Sequence, residues 1–145
     1  MTDALDTYVG ALQSLTADRL EDFMLLVADE VHFRDPFNDC RGRARYRAVL
    51  KDMFENLDSI EFSVDQSAWV APRDADTAPT ALIKWTLTAE LHKKPWRVEG
   101  CSDLRFDSNG LLLAHHDYWD AAALYERFPL IGRVLKLLRR RIRLD

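Results

Sequence analysis

Val31-His32-Phe33-Arg34-Asp35-Pro36-Phe37 is the stretch on which the reading of this chain turns. Apolar Val31 and Phe33 alternate with polar His32 and Arg34, the period-two pattern of a strand with one buried face. Pro36 lacks an amide hydrogen and disfavours helix at Asp35, so the strand is expected to stop there. A carboxylate is thereby left at a strand end, between Phe33 and Phe37. A second polar cluster, His115-His116-Asp117-Tyr118-Trp119-Asp120, lies far downstream. If the intervening chain folds both onto one cavity, they form a small-molecule site built on carboxylates; if not, they are two strand ends.

Upstream of this stretch the pattern is helical. Thr2 is positioned to cap a helix with Leu5, Tyr8, Val9 and Leu12 on one face, and Thr16 to cap a second with Leu20, Phe23, Met24 and Val27 buried. Leu15 and Leu20 fit a hydrophobic staple across that second start, and the short connection makes the two helices a hairpin. Downstream, Gly42 marks the turn into a third, strongly amphipathic helix with Tyr46, Val49, Leu50, Met53, Phe54 and Leu57 on its apolar face.

The period then changes to two. Ile60, Phe62 and Val64 open a strand that continues toward Trp69, and the Pro72–Pro79 segment reads as a loop. Ala81, Ile83, Trp85, Leu87, Ala89 and Leu91 form one face of a long strand that turns at Lys93-Lys94-Pro95. Trp96, Val98, Gly100, Ser102, Leu104 and Phe106 form one face of the next. Asp107-Ser108-Asn109-Gly110 is a hairpin signal before a last strand from Leu111 to Trp119. Helices first and long antiparallel strands after them read as α+β, with the helices covering one sheet face.

The 145 residues make one domain large enough to bury a core. Cys40 and Cys101 have no zinc-type or redox spacing. With no basic-then-apolar leader at the N-terminus and no apolar run of about 18 residues, a cytoplasmic protein with reduced thiols is the expectation. The four histidines show no metal-ligand spacing, so neither metal nor cofactor is expected.

The net charge of −4 is unevenly spread: residues 126–145 carry seven basic against two acidic side chains, leaving a net −9 on the other 125. From Pro129 the tail is helical, with Ile131, Val134, Leu135, Leu138 and Ile142 on one face and most basic residues on the other. At roughly 15 residues it would lie on a surface. It could pack on its own domain, on a dimer mate or weakly on an anionic membrane through residues 129–143. Nucleic acid is not expected, because no aromatic residues interleave with the basic ones.

The order helix, helix, short strand ending in Phe33-Arg34-Asp35-Pro36, helix, four strands resembles the nuclear transport factor 2-like superfamily, in its SnoaL-like and ketosteroid isomerase-like branch. The resemblance covers about residues 3 to 120. It implies a cone-shaped barrel of strongly curved sheet around the helices, a deep pocket at the open end and, frequently, a homodimer. Residues 1–120 would be the cone domain and 121–145 a helical extension of it. Tyr8-Val9-Gly10-Ala11-Leu12 is similar to the first helix of ketosteroid isomerase, and Asp35-Pro36 matches the Asp-Pro that carries its general base. Leu104-Arg105-Phe106 matches its Phe-Arg-Phe, which puts Ser102 where the isomerase has a neutral carboxylic acid. His116-Asp117-Tyr118-Trp119-Asp120 resembles the last strand of limonene epoxide hydrolase, with Asp117 at its catalytic aspartate. That enzyme's other carboxylate would fall near Lys84 to Thr86, where none stands.

The expected function is a cofactor-free acid/base enzyme, isomerase-, cyclase- or hydratase-like, on a small apolar molecule; the alternative is a non-catalytic binding or assembly module. Asp35 would take the proton, His115 with Asp117 would return it or activate water, and Tyr8 would stabilise oxyanion charge. Phe33, Phe37, Phe54, Trp85, Ser102 and Trp119 would line the pocket. Between aromatic neighbours the Asp35 carboxyl would be pushed up toward neutrality. Against this stand simpler roles: Asp35 as a turn aspartate, Asp117 as the ion-pair partner of Arg34 or Arg41, Tyr8 as a core tyrosine, and Phe54, Trp85 and Trp119 as core. His116 and Tyr118 should face away from the pocket.

Overall fold

The computed structural model describes residues 2–143. Helix α1 (Thr2–Gln13) is followed by a single 3-10 turn (Ala17–Arg19) and a short α2 (Leu20–Met24). Strands β1 (Val27–Arg34) and β2 (Asp39–Arg41) lead to α3 (Arg43–Asn56). Three long strands follow, β3 (Asp58–Trp69), β4 (Thr80–Leu91) and β5 (Lys94–Phe106), and then the shorter β6 (Leu112–Trp119). The chain closes with α4 (Ala122–Tyr125) and α5 (Pro129–Ile142). The six strands form one curved sheet in the order β2-β1-β6-β5-β4-β3, antiparallel except where β1 meets β6. It does not close, so the cone of the α+β expectation is an open one with β2 and β3 at its edges.

Strand alternation fixes which face is buried. Ala81, Ile83, Trp85, Leu87 and Ala89 of β4, with Trp96, Val98, Ser102, Leu104 and Phe106 of β5, all point into the core. Leu5, Tyr8 and Leu12 of α1, Leu20, Phe23 and Met24 of α2 and Tyr46 and Leu50 of α3 close over them. Gly42 makes the turn into α3 with φ +100°, a region costly for side chains with a Cβ. Its amide donates to the Val31 carbonyl (2.8 Å), and Arg43 donates twice to the carbonyl of Val27, so the start of α3 is fastened to the beginning and the middle of β1.

Several local expectations are corrected. The second helix is broken into a 3-10 turn and five residues, and Thr16 makes no capping bond. Val27, read as part of its apolar face, begins β1 instead, where a β-branched side chain suits the extended backbone. The β4–β5 turn sits at His92-Lys93, both with positive φ (52° and 62°) as a two-residue hairpin turn requires; Pro95 lies inside β5, paired with Glu90. The Thr2 side chain lies outside the described residues. The Asp107 turn forms as expected, its Oδ1 accepting from the amides of Asn109 (2.8 Å) and Leu111 (2.9 Å).

The outward face of β1 and β6 carries its own polar relay. His116 Nε2 lies 3.0 Å from His32 Nδ1, and His32 Nε2 lies 2.6 Å from Asp39 Oδ1. Ionised Asp39 only accepts, so in the Nε2–H tautomer His32 donates to Asp39 and accepts at Nδ1 from His116 Nε2–H. The His32 hydrogen bond, first among its influences, holds the Asp39 carboxyl below its ordinary range. Burial, reinforced by His32 and Arg34, pushes the His116 imidazole down, although Asp103 opposes this. A histidine whose folded pKa is depressed supports the fold fully above its unfolded value and progressively less as pH falls through the folded one. Thermal stability is therefore expected to drop as pH falls below about 6.5, well before Asp39 titrates. Melting of His116→Gln beside the wild-type chain between roughly pH 7 and 5 should show that slope flattened.

Candidate active site

A cavity of about 390 Å³ opens between α3 and the concave sheet face, within the range for small-molecule sites. Its walls are mainly Phe33, Leu50, Met53, Phe54, Phe62, Trp85, Leu87, Trp96 and Trp119, with Leu124 contributed by α4. Phe37 lines it while remaining 47 % exposed, which places this ring at the rim. There it meets Trp119 edge to face (5.5 Å between centroids) and Tyr125 (5.7 Å).

At the polar wall the register of β5 and β6 sets Ser102 opposite Asp117. Ser102 Oγ is 2.5 Å and His115 Nε2 2.7 Å from the same carboxylate oxygen, Asp117 Oδ1. Trp85 Nε1–H donates to Ser102 Oγ (2.7 Å), so the serine's own proton goes to Asp117. His115 Nδ1 lies 2.7 Å from Tyr8 Oη, and Tyr8 Oη lies 3.0 Å from Tyr46 Oη. Burial is the main cause that raises both tyrosine hydroxyls above their ordinary range, so both remain protonated donors near neutral pH. In the Nε2–H tautomer of His115, the imidazole donates to Asp117 and accepts at Nδ1 from Tyr8, which in turn accepts from Tyr46. Asp117 Oδ2 has no hydrogen-bond partner among the described residues, on a side chain that lines the cavity.

Gly100 makes this arrangement possible. It sits opposite Trp85 on β5, and a Cβ there would stand 2.5 Å from Trp85 Cζ2. Without one, the indole lies across the strand and its Nε1–H reaches Ser102, two residues further along the same face.

Of the residues expected at the site, Phe33, Phe37, Phe54, Trp85, Trp119, Asp35, His115 and Asp117 line this one cavity. Ser102 is fully buried and reaches it only through Asp117. Tyr8 is buried behind the wall, with its hydroxyl committed to His115. Asp35 reaches the cavity from the end of β1, but its carboxylate is also the turn former of the simpler reading. Its Oδ1 accepts from the amides of Phe37 (2.8 Å) and Asn38 (2.7 Å), and Asn38 Nδ2 bonds both oxygens at 3.1 Å. Asp117 does not pair with Arg34, which donates instead to Tyr118 on the outer face (2.8 Å). His116 and Tyr118 face outward as strand alternation requires. Sequence reading missed Tyr46, Asn38 and Gly100 as site builders. A tyrosine on an otherwise apolar α3 face, and asparagine three places after Asp35, were the available signals.

Residues 8–115 match the SnoaL-like domain family. The chain belongs to that family, within the nuclear transport factor 2-like superfamily. No curated protein matches it. Similar solved structures include an NTF2-like protein of unknown function from Exiguobacterium sp., 17 % identical, covering 81 % of this chain and 98 % of that one, with a TM-score of 0.66. An LEH-like epoxide hydrolase from M. tuberculosis is 19 % identical over 94 % of this chain and 93 % of its own, TM-score 0.63. A protein of ketosteroid isomerase-like fold from Catenulispora acidiphila, in complex with trimethylamine, is 12 % identical over 84 % and 88 %, TM-score 0.66. At these identities the structural likeness speaks for the fold.

If Gly100 exists to admit the Trp85 ring, Gly100→Ala must displace it and strand the Ser102 acceptor. A destabilisation of about 1–3 kcal/mol is expected, with a changed tryptophan fluorescence spectrum. Denaturant unfolding of Gly100→Ala beside Ser102→Ala checks this; unfolding midpoints equal to wild type would show the close approach to be unimportant.

Proposed function

We propose that this chain is a cofactor-free acid/base enzyme acting on a small apolar molecule, in an isomerase-, cyclase- or hydratase-like reaction with Asp117 as the proton carrier. One observation carries this reading: Asp117 has one oxygen held by Ser102 and His115 and the other without a partner among the described residues, on the wall of an apolar cavity. A carboxylate fixed through Oδ1 can present Oδ2 to a substrate in one orientation, which lowers the entropic part of the barrier. The proton leaves a substrate carbon, or a water, for Oδ2; the electron pair left behind moves into the adjacent carbonyl or attacks as hydroxide. The now neutral acid then returns the proton to a different atom, completing an isomerisation, ring closure or hydration without net gain or loss of protons.

Within this proposal His115 and Ser102 spread the carboxylate charge through donors, and Tyr8 and Tyr46 hold the imidazole in one tautomer. Tyr8 thus acts as a positioning residue through His115. Asp35, committed to its turn, marks the rim with Phe37 and Asn38 and is a second carboxylate for orienting a polar substrate atom. The fold similarity to an epoxide hydrolase supports water activation as one of the reaction types.

The test uses a base-sensitive probe that needs little besides a carboxylate in an apolar cavity: ring opening of nitrobenzisoxazole, followed by absorbance. Asp117→Asn is expected to lower the rate by ~10²-fold or more with an unchanged circular dichroism spectrum, and Asp35→Asn by much less. A large loss in Asp35→Asn with Asp117→Asn unaffected would move the proton carrier to the rim. Probe binding without any turnover by the wild-type chain would favour the binding-module reading.

A further inference from the structure

Helix α5 is built unlike the rest of the molecule. Leu130, Val134, Leu137 and Leu138 recur at helical spacing and Ile131 and Ile142 widen the same face; all six are exposed, Leu130 at 79 % and Ile142 at 77 %. The cone leaves this face bare, so packing on its own domain, one of the roles open to it from sequence, is not what the structure adopts. Its attachment runs along the other side. Gly132 packs tightly on the Glu126 backbone, and Arg139 pairs with both Asp120 and Glu126 (Nε to Oε1 2.9 Å for the latter).

The charge is equally one-sided. Pro129–Ile142 holds five basic residues and no acidic one. Asp120 and Glu126 engage Arg139, while Arg133, Lys136, Arg140 and Arg141 have no ion-pair partner among the described residues. At ~21 Å the helix is too short for a hydrocarbon core of roughly 30 Å, and no described helix is long and apolar enough to cross a membrane.

We propose that α5 is an interfacial helix that docks this protein on an anionic phospholipid surface. The stripe around Leu130, Val134, Leu137 and Leu138 would sink to the acyl boundary and the free basic side chains would lie among the headgroups. Charge complementarity selects this occupant over a second copy seated helix to helix, because two α5 helices would bring four unpaired like charges against four with no carboxylate of either helix between them. Arg141, which falls close to the apolar stripe, can lay its aliphatic stem along it and keep its guanidinium at the surface. The position of α4 adds a consequence: it precedes α5 directly and supplies Leu124 to the cavity wall, so a docked α5 holds the apolar cavity near the lipid.

The full chain is sedimented with vesicles of phosphatidylcholine alone and of phosphatidylcholine containing about a third phosphatidylglycerol. Binding is expected to the anionic vesicles, at least tenfold above neutral ones, and to be lost as salt rises from ~0.1 M to ~1 M and the Debye length shrinks from about 10 to about 3 Å. Each basic residue contributes about fivefold, so the triple variant Arg133→Gln, Lys136→Gln, Arg140→Gln should bind on the order of 10²-fold more weakly. Leu130→Asp with Leu137→Asp should remove binding. These positions are exposed, so circular dichroism and melting should stay those of the wild type, and turnover of the soluble probe is unaffected. Equal binding to both vesicle types, no binding at low salt, or undiminished binding by either variant would overturn the proposal. So would a dimer in sedimentation equilibrium that Leu130→Asp with Leu137→Asp dissolves, because the apolar face would then belong to a second copy.

Discussion

The half-buried carboxylate of Asp117 imposes a constraint that the polar interior answers. An ionised group on an apolar wall is costly unless donors compensate it. Ser102 and His115 do so at Oδ1, and each needs a partner of its own. Ser102 has its lone pair filled by Trp85, and His115 has its second nitrogen filled by Tyr8 and, through it, Tyr46. The resulting chain runs from α3 through α1 to β6, β5 and β4. One hydrogen-bonded line thus joins two helices to three strands across a core that is otherwise apolar, and a network partnered at every link behind Asp117 Oδ2 specifies a single packing in a way that interchangeable aliphatic contacts do not.

The same constraint explains a glycine in a strand centre. Gly generally weakens a strand, and β5 accepts that cost at Gly100 because a Cβ would meet the Trp85 ring. Without that ring across the strand, Ser102 would lack its incoming donor, and nothing would then fix the serine proton on Asp117.

The strands were legible because period-two alternation is a local signal: β4 and β5 bury the residues their sequence assigns inward, and His115 and Asp117 part from His116 and Tyr118 by the same rule. The α3 stripe was legible for the equivalent helical reason. The short α2 was not, because the local caps and staple suggested a longer helix while Val27 was already committed to pairing with Leu112. Of the two partners of Asp117, His115 was legible, because it stands two residues away on the same strand face. Ser102 was not: its pairing with Asp117 depends on the β5–β6 register, and sequence spacing alone left an arginine admissible beside the histidine. Asp35 was legible twice over, as a turn aspartate and as a cavity residue; the structure places one side chain in both positions, with Asn38 binding the carboxylate that also faces the cavity.

The pleat of β6 keeps two histidine systems apart with a separation of one residue. His115 points inward to Tyr8 and Asp117; His116 points outward to His32 and, beyond it, Asp39. Both rest on the parallel pairing of β1 with β6, in which Phe33 stands beside His115 and Arg34 beside His116. A slip of that pairing by one residue would carry every side chain of β6 to the other face, putting His116 against the tyrosines and Asp117 among arginines. The helices therefore do more than cover a sheet. By fixing Tyr8 and Tyr46 behind His115, they reward the one register in which the cavity wall carries the carboxylate, and the alternation that separates inner from outer histidine is the property that this register protects.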